Sequence, residues 1–136
     1  MVNINNWKEK DLFAYLKTHH YPELGKIDET YSRWDCISKD EIIELKCRRV
    51  HYPTMLIEKK KYDALQLEAS RHKNYKAVYI NSTPKGIYKW VLDSTLPIEW
   101  LVEHKHPATT AFGNRSIVAK EVGYLDVTKA STLYSS

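Results

Sequence analysis

Two carboxylates and one ammonium group lie close together in a segment rich in strand-forming residues: Asp35, Glu44 and Lys46. Glu44 and Lys46 are two positions apart, so their side chains would point to the same face of a strand, while Leu45 would face a core. The polar residues 38–41 between the carboxylates indicate a turn. A hairpin at this turn would bring Asp35 beside Glu44 and leave Lys46 next to the pair.

This set of groups suits the hydrolysis of a phosphodiester bond. Two converging carboxylates can hold a hard divalent cation through oxygen ligands. Such a cation polarises a phosphoryl oxygen and lowers the pKa of a bound water. A neighbouring lysine can orient that water and offset the charge that develops on the phosphate. We therefore expect Asp35 and Glu44 to bind Mg²⁺ or Mn²⁺, and Lys46 to position the attacking water.

The pattern of Asp35, eight intervening residues and Glu44-Leu45-Lys46 resembles the PD-(D/E)XK nuclease superfamily, over roughly residues 5–92. The proline of the family motif is absent, because Trp34 precedes Asp35. The resemblance implies an α/β domain like that of restriction endonucleases, with a central mixed β-sheet and a helix on each side. It also implies a metal-dependent nuclease of the restriction, repair, recombination or phage type, acting on nucleic acid with DNA favoured, and often as a homodimer.

Two further site residues follow from this resemblance. The backbone carbonyl of Leu45 would be a third metal ligand, and Glu9, on the first helix, would complete the site. The alternative for Glu9 is a simple cap, because it follows Asn6 by three residues in the manner of a capping box. A polar side chain on the second helix would lean over the site, and Gln66 and Lys59 are the candidates.

The elements that must position these groups can be read from periodicity. Helical spacing predicts helices at about 7–18 and 57–73, and strands are predicted at 77–81 and 87–92. Residues 98–105 fit either a strand or a short helix, and residues 119–124 suggest a short helix stopped by Gly123. We expect one domain over residues 1–127, followed by a frayed polar tail at 128–136.

Positive charge brackets the second predicted helix and is interleaved with tyrosines, as in proteins that bind a phosphate backbone. The alternative for these residues is an ordinary solvated helix face. The residues predicted to contact nucleic acid are Arg48, Lys59, Lys60, Lys61, Gln66, Arg71 and Lys73.

Glu-x-Lys occurs three times in the chain, so the motif alone has little specificity. Glu103 and Lys105, with Asp93 upstream, form a second candidate site. The residues after Lys105 do not predict a helix, whereas those after Lys46 do. The architecture that the resemblance implies therefore favours the Asp35 site.

Composition narrows the class of protein further. The chain has 136 residues, a formal charge of +4 and only four glycines, which argues against a glycine-rich phosphate loop. Cys36 and Cys47 are expected to be buried thiols, and we expect a cytoplasmic protein with no membrane segment.

Two hypotheses compete with the nuclease. One is a non-catalytic module that has the nuclease fold and binds nucleic acid or protein. The other is a structural protein in which Glu44 and Lys46 pair on a solvated face.

Overall fold

The computed structural model of the chain describes residues 3–27, 34–107 and 117–136. Within these residues the elements, in chain order, are α1 (Glu9–His19), β1 (Gly25–Lys26), β2 (Asp35–Ser38), β3 (Glu41–Cys47), β4 (Thr54–Glu58), α2 (Lys59–Ser70), β5 (Lys76–Thr83), β6 (Gly86–Val91), β7 (Leu101–Pro107), β8 (Ile117–Asp126), a 3-10 turn (Val127–Lys129) and β9 (Ser131–Ser135). The helices begin within two residues of their predicted starts.

The strands form two sheets. The larger sheet has six strands in the order β1-β2-β3-β5-β6-β9, and the smaller has three in the order β4-β8-β7. In the larger sheet β3 and β5 run parallel, while the other neighbouring pairs run antiparallel. A parallel pair needs a long crossover connection, and here the crossover contains β4 and α2. The architecture is a single α/β domain with a mixed sheet, as predicted at the level of the general class.

The two helices pack on opposite faces of the larger sheet. Successive residues of β3 alternate between the two cores: Ile43 packs in a cluster with Leu12 of α1, and Ile42 packs in a cluster with Leu65 of α2. This alternation follows from the period of two in a strand. The face shared by Ile42, Glu44 and Lys46 is therefore the α2 face.

The predicted second helix starts too early, because residues before Lys59 form strand β4. Met55 and Ile57 of β4 are 1% exposed and pack into the α2 core, while Leu56 points the other way. This period-two pattern belongs to a strand, and the helix begins only after Glu58. Within the parts of the chain that the structure describes, neither helix is long and apolar enough to cross a lipid bilayer.

The prediction of a short helix at residues 119–124 is wrong, since these residues lie inside β8. Gly123, which suggested a helix stop, has a different role. A Cβ at this position would collide with Ile98 and come within 3.2 Å of Trp100. Glycine therefore lets two large side chains pack directly over the strand.

The prediction of a frayed tail at residues 128–136 is also wrong. Residues 131–135 form β9, which pairs with β6 at the edge of the larger sheet. Leu133 and Tyr134 pack against the α1 core, and this burial fixes the segment in place. The segment carries enough apolar surface to complete the sheet, although its composition is mostly polar.

Candidate functional site

The β2–β3 hairpin places Asp35 directly opposite Glu44, which confirms the predicted pairing of the two carboxylates. The Glu44 side chain is 12% exposed, and that of Asp35 is 28% exposed. Lys61, on the first turn of α2, reaches both: its Nζ lies 3.4 Å from Oε1 of Glu44 and 4.0 Å from Oδ1 of Asp35. The side chain that leans over the site from α2 is therefore Lys61.

The electrostatics of the pair are those of two acids held close together. Burial, and then hydrogen bonding and repulsion from Asp35, raise the pKa of Glu44 to about 9, against a smaller opposing effect of Lys61. Among the described residues, Oδ1 of Asp35 and Oε2 of Glu44 are buried without a hydrogen-bond partner. Two carboxylates in such a position are stabilised by a cation or a shared proton.

A cavity of about 240 Å³ opens beside Glu44, between the two sheets. Cationic side chains outnumber the carboxylates on its walls, which favours an anionic ligand. Lys46 lines this cavity, and its ammonium has no hydrogen bond or ion pair to any other described residue. The residues that line it are Glu44, Lys46, Arg48, Leu56, Glu58, Lys61, Tyr79, His106 and Lys120.

Arg48 is held rigidly at the cavity wall. Its Nε donates to Oδ1 of Asn81 at 3.2 Å, and its Nη2 donates to the carbonyl of Leu56 at 2.8 Å and to the hydroxyl of Tyr79 at 3.1 Å. These bonds connect β4 of the smaller sheet to β5 of the larger one. Its Nη1 has no hydrogen bond to any described residue, so the guanidinium can bind an anion from a fixed position.

The smaller sheet supplies residues that the sequence did not single out. Lys120 of β8 pairs with Glu58 of β4 at 3.2 Å, and His106 of β7 lies in the same cavity. Their position depends on strand pairing between segments distant in sequence, and no local pattern reports it. Alternating exposure along residues 117–121 is typical of a strand, but the sequence there alternates too weakly in polarity to show it.

The structure does not bring Glu9 to the site. Glu9 lies near enough to Cys47 to hydrogen-bond with the thiol, and it adds to the burial that raises the pKa of Cys47 to about 12. Cys47 packs with the α1 core, on the sheet face opposite Glu44. The predicted role of Glu9 as a metal ligand therefore has no support in this geometry. Both cysteines are free thiols; Cys36 is buried as expected, whereas Cys47 is only partly buried.

Most of the other α2 residues predicted to bind nucleic acid point elsewhere. Gln66 donates to the carbonyl of Leu92 at 2.6 Å, so it does not lean over the site. Lys59 pairs with Asp63 at 2.8 Å. The three others are exposed and do not line the cavity: Lys60, Arg71 and Lys73. Only Lys61 and Arg48 of the predicted set lie at the site.

The second candidate site is not assembled. Asp93 accepts hydrogen bonds from the backbone and hydroxyl of Thr95, and it pairs with Lys76. Glu103 instead accepts from Tyr124 and His106. The two carboxylates have separate partners, so this second candidate lacks the carboxylate pairing seen between Asp35 and Glu44.

The donor set of Asp35 and Glu44 fits a hard divalent cation, because each group supplies a buried carboxylate oxygen that accepts no hydrogen bond from the described residues. The described residues contain no group of three or more histidine, cysteine, aspartate or glutamate side chains placed to bind a metal. A metal here would therefore also need backbone and water ligands.

Comparisons of the chain with family models, with curated proteins and with solved structures found no match.

Proposed function

We propose that this protein is a divalent-metal-dependent nuclease whose active site comprises Asp35, Glu44 and Lys46. The observation that carries the proposal is the pairing of Asp35 with the buried carboxylate of Glu44, which lines a cavity with a cationic wall. Asp35, Glu44 and the Leu45 carbonyl would hold Mg²⁺ or Mn²⁺. The ion would supply Lewis-acid activation of the phosphoryl group and of water.

The side chains of the cavity have separate roles in this reaction. Lys46 shares the face of Glu44 and has no described partner, so its ammonium orients the attacking water and offsets charge on the phosphate. Arg48, held by its own hydrogen bonds, binds a non-bridging phosphate oxygen. Lys120 contacts the same anion from the smaller sheet. Duplex cleavage would need two copies of the site, since one site cuts one strand.

The order of elements supports this proposal. Apart from the short strand β1 and strand β4, the elements follow one another as a helix, a strand with Asp35, an antiparallel strand with Glu44 and Lys46, a crossover helix and a parallel strand. This is the order that the resemblance to the PD-(D/E)XK superfamily implies, so we propose a restriction-endonuclease-like fold.

The second candidate function is a non-catalytic module that binds nucleic acid or protein. One observation favours it: the ammonium of Lys61 already lies beside both carboxylates and neutralises part of their charge. In that case Lys61 takes the place of the metal, and the cavity serves only to bind an anionic group.

Two substitutions separate the candidates. Asp35→Asn should abolish Mg²⁺ and Mn²⁺ binding in calorimetry, because it removes a charged ligand. Lys46→Ala should keep metal binding but reduce cleavage of labelled DNA roughly 10²- to 10³-fold, the usual effect of losing one stabilising group. Lys39→Ala is the control, since Lys39 is exposed on the β2–β3 turn.

Two results would contradict the nuclease proposal or the role of Lys46. A wild-type protein that binds neither metal and cuts neither DNA nor RNA belongs to the non-catalytic class. A Lys46→Ala variant that cuts at the wild-type rate excludes the proposed role of this lysine.

A further inference from the structure

An irregularity in β7 places Glu103 against His106, whose side chain lines the cavity. In its pairing with β8, Glu103 lies opposite Lys120 and His106 lies opposite Val118. The step from Glu103 to His106 thus contains one more residue than the step facing it, as in a β-bulge. Residues three apart on a regular strand point to opposite faces, but the extra residue brings Glu103 and His106 together. The bulge therefore creates their contact.

Glu103 is a fixed carboxylate behind the imidazole. Its Oε1 accepts a hydrogen bond from Nε2 of His106 at 2.7 Å and another from the hydroxyl of Tyr124 at 2.7 Å. These bonds hold the pKa of Glu103 below its ordinary value, so it stays ionised. Lys105 is farther away, at 4.0 Å. With Nε2 bound to Glu103, Nδ1 is the ring nitrogen that can bond to a ligand.

His106 and the proposed catalytic groups lie on different walls of one cavity. Glu44 and Lys46 belong to β3 of the larger sheet, whereas His106 belongs to β7 of the smaller one. Phosphoryl transfer places the attacking and leaving oxygens roughly in line on either side of phosphorus. With water on the Lys46 side, the leaving oxygen faces the wall that carries His106.

We propose that His106 is a further catalytic residue, the general acid that protonates the leaving oxygen of a nucleic-acid phosphodiester, and that Glu103 and Tyr124 are positioning residues. This inference rests on the proposed nuclease function. A carboxylate bonded to one ring nitrogen fixes the tautomer and orientation of an imidazole, as in hydrolases of other folds. The charged groups that line the same cavity as the ring are Glu44, Lys46, Arg48, Glu58, Lys61 and Lys120.

The step balances without a further reactant. The water oxygen forms its bond to phosphorus as the bond from phosphorus to the bridging oxygen breaks. The electron pair of the broken bond stays on the bridging oxygen, which takes the proton from Nδ1. The proton of the attacking water passes to solvent, and His106 is reprotonated from solvent.

The test compares leaving groups. Two substrates are oligonucleotides in which one or the other bridging oxygen of a single phosphodiester is replaced by sulfur. When the bond from phosphorus to that sulfur breaks, the leaving group is a thiolate. A thiolate needs no proton to leave, because a thiol is a much stronger acid than an alcohol. His106→Ala should lose roughly 10²- to 10⁴-fold in kcat on the all-oxygen substrate, the usual contribution of a general acid. On one of the two sulfur substrates it should cut within about tenfold of wild type. His104→Ala, an exposed histidine on the same strand, is the control.

The positioning residues have their own readout. Glu103→Gln should lower kcat on the oxygen substrate with little change in KM or in the rate on the sulfur substrate, and Tyr124→Phe should do so more weakly. Equal losses on oxygen and sulfur substrates, or no loss in His106→Ala, overturn the role of His106. If the role of His106 is overturned but Asp35→Asn is inactive in the same assay, the nuclease proposal still stands. A wild-type protein that is inactive on all substrates overturns both the nuclease proposal and the role of His106.

Discussion

Glu44 is a carboxylate that the fold buries against a second carboxylate. Its pKa is raised to about 9 by burial and by Asp35. At neutral pH the Glu44 carboxyl is therefore protonated in the folded protein, whereas it is ionised in the unfolded chain. Metal binding and protonation therefore compete for the same oxygens, and metal affinity should rise with pH until Glu44 is ionised.

The metal-free protein should lose stability as pH rises. Between the ordinary pKa of 4.5 and the folded value of about 9, the folded state binds more protons than the unfolded state, so the free energy of unfolding falls. The slope from one group is at most about 1.4 kcal/mol per pH unit. Glu44→Gln should flatten this slope in urea denaturation with EDTA across pH 5–9.

The comparison for this prediction is Glu99→Gln, which changes an exposed glutamate. Its stability profile should follow that of the wild-type protein. Parallel profiles for wild type and Glu44→Gln would show that Glu44 is ionised on folding at neutral pH.

At the scale of elements, the sequence contains what is needed to predict the β2–β3 hairpin. A polar turn separates Asp35 from Glu44, and alternation along Ile42, Ile43 and Leu45 assigns the faces of β3. Helix α1 also follows from its sequence, since Leu12 and Leu16 are one turn apart and both fully buried. These features are local, and local spacing reports them.

The smaller sheet could not be predicted in the same way. Its strands β4 and β8 are brought together only by tertiary pairing, such as that between Leu56 and Tyr124. In the sequence Gly123 looks like a helix stop. In the structure a glycine is required there because Trp100 packs against this position. The cavity wall with His106 and Lys120 therefore became visible only with the fold.

Arg48 links the two sheets through three hydrogen bonds, so its removal should lower stability. Arg48→Met should lower the free energy of unfolding by about 1–3 kcal/mol, because Oδ1 of the fully buried Asn81 loses its donor, whereas the Leu56 carbonyl keeps the Tyr79 hydroxyl. Chemical denaturation should show a lower midpoint at an unchanged m-value. Arg49→Met is the matched control, because Arg49 is exposed one residue away. Equal stabilities of the two variants would mean that Arg48 does not join the sheets.

At the scale of the whole molecule, positive charge is concentrated where the two sheets meet. The formal net charge is only +4, yet Lys46, Arg48, Lys61 and Lys120 share one cavity with the carboxylates of Glu44 and Glu58. Lys59 is partly neutralised by Asp63 and lies outside that cavity. Nucleic acid should therefore bind across the junction of the sheets, and the exposed face of α2 should contribute less than its lysines suggest.

Binding measured against salt tests this placement. In EDTA, to prevent cleavage, the logarithm of the affinity for labelled DNA should fall linearly with the logarithm of salt concentration, because each neutralised phosphate releases counterions. Lys120→Gln should reduce that slope by about one unit, whereas Lys39→Gln, at the opposite end of β3 from Lys46, should leave it unchanged. A flat salt profile for the wild-type protein, or equal effects of the two substitutions, would show that the cavity does not bind the phosphate backbone, and the carboxylate pair would then have to serve another substrate.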